Sequence, residues 1–309
     1  MEVDERNTPT VVLETAIFAL VMVLSLLGNS MVCYAVRRSP SLRSPSNYYI
    51  ISLALTDIFQ ALFIMPLSVV FLATGKWPFG SHLCHFVAIT KISLAKVSTF
   101  TMGLMALNKY YKIAKPAKYP SIFTKKFIIA SASVVWVEPF VFFLLVVFAV
   151  DFGVRPILGF ATCVIDLNPL ALPVYIFQTY SPYCVIGFCY WKIYRFVRMH
   201  NESVSWQSAN VKHINVSKTL FVTVVGFASL WVPAHAMFII SILTSIPRQL
   251  EILVTLLAFT SSCVNPFIYG FMNRAFKIQF KNIFAPRNTN SIDRKSTRLN
   301  SSHVRTSRM

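Results

Sequence analysis

Residues 84–112 read CHFVAITKISLAKVSTFTMGLMALNKYYK, a largely apolar run that turns basic at Lys109 and Lys112. A helix needs roughly 20 apolar residues to cross a hydrocarbon core, and residues 84–108 supply that length. Six further stretches of the same character lie around it, at about 13–36, 47–73, 127–150, 171–195, 217–244 and 250–271. The 309-residue chain is 55% hydrophobic and only 13% charged, too apolar for an ordinary soluble domain. The expected fold is an all-α membrane protein, a seven-transmembrane helix bundle spanning 13–271. Residues 1–12 then form an extracellular N-terminus, 272–284 a short amphipathic helix and 285–309 a cytoplasmic tail.

The formal charge of +18 would suit a nucleic-acid partner if it were gathered in one domain. It is instead spread over alternate loops: Arg37, Arg38 and Arg43; Lys112, Lys115, Lys118, Lys125 and Lys126; then Arg195, Arg198 and Lys212. The intervening loops set Lys76, Arg155 and Arg248 against Asp151, Asp166 and Glu251, and the N-terminus carries Glu2, Asp4 and Glu5. Cytoplasmic loops are the ones enriched in Lys and Arg. The expectation is a multi-pass plasma-membrane protein with its N-terminus outside, contacting membrane lipid and no nucleic acid. The first apolar stretch is of full span length and no small-residue cleavage site follows a short hydrophobic core, so the first helix itself would serve as the targeting signal. Asn201-Glu202-Ser203 matches a glycosylation acceptor but falls on the cytoplasmic side of this topology.

Of six cysteines, only Cys84 and Cys163 fall at the oxidising face, which makes them the natural disulfide pair. Cys33, Cys184, Cys189 and Cys263 lie within spans and read as small apolar packing residues. After Phe284 the apolar pattern stops. Residues 293–309, DRKSTRLNSSHVRTSRM, have the composition of a disordered basic tail. Their first part also resembles the translation of a sequencing-library adapter, and 293–309 is read as such an artefact. Leaving it out lowers the formal charge from +18 to +14 and leaves the loop asymmetry untouched.

Several spans carry residues that a lipid environment penalises. Asp57, in LALTD (53–57), sits mid-span, where an ionisable group costs at least ~2.5 kcal/mol on insertion scales and needs a partner, a proton or an ion. Pro182, Pro233 and Pro266 each fall inside a span, free a backbone carbonyl and permit a kink. Three kinkable helices suggest a bundle that changes shape.

Together, Gly28-Asn29, LALTD, Trp77-Pro78-Phe79-Gly80, the Cys84 and Cys163 pair, Trp136, Pro182 with Tyr190, Phe227 with Trp231-Val232-Pro233, and NPFIY (265–269) resemble the rhodopsin-like, or class A, G-protein-coupled receptors. Each element is weak alone; their order at seven-span spacing is specific. The resemblance runs from about Gly28 to Phe284, since Asn273–Lys277 and Phe280 look like the family's short helix on the inner leaflet. It implies a receptor that takes an extracellular small-molecule or peptide ligand and activates a heterotrimeric G protein.

The resemblance also implies roles. Asp57, Ser98 and Asn265 match positions that hold a sodium ion in this family, although Ser261 stands where the family often has Asn. A protonated or hydrogen-bonded Asp57 without sodium is the alternative. Phe227 and Trp231, one turn apart, match the rearranging aromatic pair, while Tyr190 and Tyr269, beside Pro266, match tyrosines that swing inward on activation. Asn108-Lys109-Tyr110 stands in place of the usual Asp-Arg-Tyr. Lys109 keeps the cation but lacks the planar fork of Arg, and Asn108 removes the adjacent acid, as in melatonin-type receptors. His213 lies near where some members place an acidic partner. A less firmly held inactive state and weaker coupling are the expectation.

Lys91 lies seven residues past Cys84, ~10 Å down the helix at 1.5 Å per residue, which is ligand depth in this family. Amine receptors carry an Asp there, so a simple amine agonist is disfavoured. Two readings stay open: Lys91 binds a carboxylate or phosphate, or it pairs internally with Asp166, Glu251 or Glu138. Lys96, about 140° further round the helix, is expected to pair with Glu138. Gln178, Trp231, His235, Phe238 and Asp166 complete the expected pocket.

Asn-x-Tyr after the third span and the stretch from Ile246-Pro247 through Cys263-Val264-Asn265 give a modest likeness to melatonin receptors, whereas Val164-Ile165-Asp166 lacks the aromatic and Gln found there. The chromophore-bearing Lys of opsins corresponds to Phe259. No paired broken helices across two halves suggest a transporter, and no zinc, phosphate-loop or serine-elbow motif suggests an enzyme. A non-signalling, scaffold-like receptor is the main rival.

Overall fold

The structure, a computed structural model, describes residues 6–149, 152–167, 172–200 and 204–284, the last by backbone alone up to residue 220. The tail, Asn201–Ser203 and the His213 side chain lie outside the described residues.

Helix α1 (Thr8–Arg38) begins at Asn7, whose side chain accepts from Thr10 N at 3.0 Å, satisfying one of the orphan donors of a helix start. It ends in Arg37 and Arg38, cations that suit the negative end of the helix dipole. The second span is broken into α2 (Pro45–Phe59), a π-helical turn (Gln60–Ile64) and α3 (Met65–Thr74). Pro66 has no N–H to give the preceding turn, and the wider turn carries the chain past it. Helix α3 stops at Gly75, which takes a left-handed φ of 68°.

The remaining elements are α4 (Gly80–Ala114), α5 (Tyr119–Ile122), α6 (Lys125–Ala149), β1 (Val154–Ile157), β2 (Thr162–Ile165), α7 (Leu172–His200), α8 (Val204–Leu243), α9 (Arg248–Met272) and α10 (Arg274–Phe284). Six of the spans are long and apolar enough to cross a membrane. Helix α7 matches them in length but carries Gln178, Thr179, Lys192, Arg195 and Arg198. Several helices outrun the stretches read from hydropathy: α8 starts at Val204 rather than 217 and α4 ends at Ala114 rather than 108. Loss of apolarity marks where lipid ends, not where backbone hydrogen bonding ends.

The seven long units form one helical bundle in which α4 touches α2, α6, α7 and α8, while α1 and α9 close the ring. Its polarity is reversed relative to a soluble protein. Asn29, Thr56, Asp57, Ser98, Thr101, Asn108 and Asn265 are buried, whereas Leu13, Leu27, Val134, Val137, Leu145, Phe148 and Phe177 are exposed. Exposed apolar surface on that scale needs a lipid partner. The apolar interior divides into a half near α10, with Tyr49, Met102, Phe227, Tyr269 and Phe276, and a half near the disulfide, with Phe18, Ile64, Val87, Phe143 and Phe259.

Gly28 sets the approach of α1 to α9. A Cβ there would lie 2.9 Å from Pro266 Cγ, so only glycine permits the two helices to meet at the proline. Helix α10 turns at Asn273, whose side chain accepts from Ala275 N at 3.1 Å. It buries Phe276 against Tyr269, ring centroids 5.6 Å apart, and leaves Arg274, Lys277 and Lys281 exposed.

Candidate functional site

Between the hairpin and the middle of the bundle lies a cavity of about 90 Å³. That volume admits several waters or a small ligand group. Its floor is Trp231 and His235 of α8, its walls are α4, Tyr175 of α7 and Ala258 of α9, and its cover is the β1–β2 hairpin through Phe160, Val164 and Ile165.

The hairpin is held on three sides. Cys163 is joined to Cys84 at the start of α4, as expected. Arg155 of β1 and Asp166, just past β2, form an exposed salt bridge, with Arg155 Nε 2.9 Å from both carboxylate oxygens. Thr255 of α9 donates to the Phe160 carbonyl at 2.8 Å. Gly159 in the turn is required by a close approach, since a Cβ there would overlap Glu251.

Lys91 points from α4 into this cavity with its Nζ 5.4 Å from the centre of the Phe259 ring. It forms no ion pair among the described residues: Asp166 is engaged by Arg155, Glu138 accepts from Gln178 Nε2 at 3.0 Å, and the Glu251 side chain lies against Gly159 of the hairpin turn. Lys96 lies buried on another face of α4, donating to Thr179 Oγ1 and resting 4.6 Å over the Tyr175 ring. Glu138 is within electrostatic reach of it, but the direct partner is Thr179.

Trp231, His235 and Phe238 therefore line the cavity together with Lys91, whereas Gln178 and Asp166 do not. Gln178 turns to α6, and Asp166 lies on the outer face of the hairpin. Phe160, Tyr175, Val254 and Thr255 line it without having been anticipated. The aromatic run Tyr175–Phe238–Phe160 had no signal in periodicity, because it is assembled from two helices and a loop.

Below the cavity the residues matched to switching positions come together along α8 and α9. Phe227 and Trp231 have ring centroids 5.7 Å apart. Trp231 Nε1 donates to Ser261 Oγ at 2.7 Å, and Ser261 donates to the Ala258 carbonyl at 2.6 Å. Asp57 accepts from Asn265 Nδ2 at 3.1 Å. Asn29 bridges from α1 to the Ser262 carbonyl at 2.9 Å. Ser98 shares a hydrogen bond with Thr56 at 2.9 Å rather than with Asp57. The Asp57 carboxylate and the Ser98 and Thr56 hydroxyls are oxygen donors of the kind a hard monovalent cation takes, while Asn265 and Asn29 present their Nδ2 groups. Tyr190 packs on Phe221 and Tyr269 on Phe276.

At the far end, Lys109 is buried and forms no ion pair among the described residues. Asn108 Nδ2 donates to the Tyr119 hydroxyl at 3.3 Å, so it fastens α5 under the end of α4. Tyr110 faces Lys115, whose Nζ lies 5.8 Å from its ring centre.

Comparison with known proteins agrees with this arrangement. The family described as 7 transmembrane receptor (rhodopsin family) matches residues 28–269. The human histamine H2 receptor is 26% identical over 303 residues, covering 94% of this chain and 84% of that receptor. The dog receptor of the same name is 24% identical over 311 residues, covering 96% and 87%. The rat receptor is 26% identical over 290 residues, covering 90% and 80%. These relatives are histamine rather than melatonin receptors, so they add nothing to the melatonin likeness. With the family pattern running from the Gly28 contact to Tyr269, the chain belongs to the rhodopsin family of seven-transmembrane receptors, which are signalling proteins and not enzymes.

Proposed function

We propose that this receptor, set in the plasma membrane with its N-terminus outside, binds an anionic extracellular ligand in the hairpin-covered cavity and activates a heterotrimeric G protein. The observation that carries the ligand class is Lys91: an ammonium directed into a largely apolar cavity, with no ion pair among the described residues. A buried charge without a partner is costly by several kcal/mol, and a ligand carboxylate or phosphate would remove that cost. Histamine, which the named relatives bind, is cationic at neutral pH and would meet a like charge here. Ligand binding would shift the bundle between at least two states through differential affinity. Trp231, Phe227, Asn265, Pro266, Tyr190 and Tyr269 carry that change in this reading, and Asn108, Lys109 and Tyr110 meet the G protein. A sodium ion, where bound, would be held by Asp57 with Ser98 and Asn265 and would neutralise the carboxylate.

The departure from Asp-Arg-Tyr bears on output. Lys109 lacks an acid to hold it among the described residues and lacks the bidentate fork of Arg. Basal G-protein activation in cells expressing the receptor, compared at equal surface level with Lys109→Arg and Asp57→Asn, tests the coupling. Basal signal that either substitution alters is expected; silence in all three across the main G-protein classes, with or without a panel of carboxylate and phosphate ligands, would favour the scaffold reading. For any acid that activates the receptor, Lys91→Met should lower potency by about tenfold or more, the scale of a lost charge-assisted contact. Unchanged potency removes Lys91 from recognition.

A further inference from the structure

The cavity holds five polar side chains: Lys91, Tyr175, Trp231, His235 and Thr255. Three of them are engaged within the protein. The Trp231 N–H donates to Ser261, the Thr255 hydroxyl to the Phe160 carbonyl, and the Tyr175 hydroxyl meets His235 Nδ1 at 3.0 Å and also engages Thr179, whose oxygen already accepts from Lys96 and whose own proton is free to go to Tyr175. Lys91 and the far nitrogen of His235 are left to address a ligand. A neutral imidazole carries its proton on one nitrogen only. What His235 offers therefore depends on which partner of the Tyr175–His235 bond is the donor.

Two features set that direction. A phenol is the better donor and an imidazole nitrogen the better acceptor, so O–H to Nδ1 is the stronger arrangement. The Lys96 ammonium, fixed by Thr179 and held 4.6 Å over the Tyr175 ring, draws electron density from the phenol and makes its O–H a stronger donor still. Glu138 of α6 lies within electrostatic reach of Lys96. The His235 ring is stacked on Trp231 at 5.0 Å with the planes 30° apart, which holds the plane in which Nδ1 meets Tyr175.

We infer that Tyr175, polarised by Lys96, fixes His235 as an Nε2–H donor into the cavity, so that the cavity presents two donors and the ligand must carry a second hydrogen-bond acceptor besides its anionic group. Lys96 is a positioning residue here: it acts through Tyr175. The consequence for ligand choice rests on the anionic reading of the cavity above; the state of His235 does not, because it is a property of the empty receptor.

The test is the nitrogen NMR spectrum of the full chain labelled with ¹⁵N-histidine in lipid nanodiscs, with the His235 signals assigned by their loss in His235→Gln. In wild type, His235 should show a protonated Nε2 and an unprotonated, hydrogen-bonded Nδ1. Tyr175→Phe keeps the ring and removes the hydroxyl, and should give a mixture of both neutral forms. Lys96→Met should move the Nδ1 signal toward that of a free imidazole. A wild-type His235 protonated on Nδ1, or signals unmoved by Tyr175→Phe and Lys96→Met, would overturn the inference. If the variants do not fold, the wild-type spectrum alone decides the donor. Loss of the anionic reading would show instead as Lys91→Met leaving acid potency unchanged while the His235 spectrum stays as described.

Discussion

Gly28 and Gly187 look alike in sequence, each a glycine within an apolar helix, yet their surroundings differ. A methyl group at Gly28 would press on Pro266, whereas nothing lies within 4 Å of one at Gly187. Gly28→Ala should therefore lower stability by about 1–3 kcal/mol, the usual cost of overpacking a tight contact, while Gly187→Ala should cost nothing measurable. Thermal unfolding of the purified receptor, read by thiol or tryptophan probes, separates the two. The same scale shows what could be read beforehand. Ionisable residues inside apolar stretches, Asp57, Lys91 and Lys96, declare themselves because lipid penalises them. Where each head group points is not declared. Gln178, three residues past the cavity-lining Tyr175 on α7, reaches Glu138 of α6 instead of the cavity.

Among the elements, the spans were legible because roughly 20 apolar residues are a long signal. The hairpin was not, since VRPI and TCVI are four residues each and the turn between them, Leu158–Ala161, lacks an Asn-Gly signature. It forms through pairing to its own partner strand and to Cys84, contacts that no local pattern reports. The π-turn at Gln60–Ile64 escaped for a related reason: it shifts helix phase without altering hydropathy. The hairpin should depend on its long-range ties. Reducing the Cys84–Cys163 bond, which closes a separation of 79 residues, should cost about 2–4 kcal/mol. A lowered melting temperature in reducing agent, absent in a Cys84→Ser/Cys163→Ser variant, checks this.

For the whole molecule, the bundle is closed at the hairpin end by a charged clasp. Glu14 of α1 accepts from Arg6 Nη1 at 2.9 Å and from Arg248 at 2.8 and 2.6 Å, while Arg6 also donates to the Leu72 carbonyl at 2.7 Å. The segment before α1, the end of α3 and the start of α9 are thereby tied at one carboxylate. Glu14 and Arg248 are 234 positions apart, which is why no local reading found them. Glu14→Gln keeps the shape and removes the charge; it should cost about 1.5–3 kcal/mol, as for hydrogen bonds to a charged group. Unfolding by heat in detergent measures it, and a loss that persists in high salt distinguishes this part-buried cluster from a screened surface pair.

The hairpin cover has a kinetic side. Phe160 is fastened to α9 through Thr255, and β2 is bonded to α4, so a molecule in the cavity beneath them must pass this tethered cover on its way in or out. Association should then be slower than diffusion allows, and release slower still. Thr255→Val, which unties the cover at one point, should shorten residence time more than it weakens equilibrium affinity, making the duration of a signal a property of a loop rather than of the contacts with the ligand.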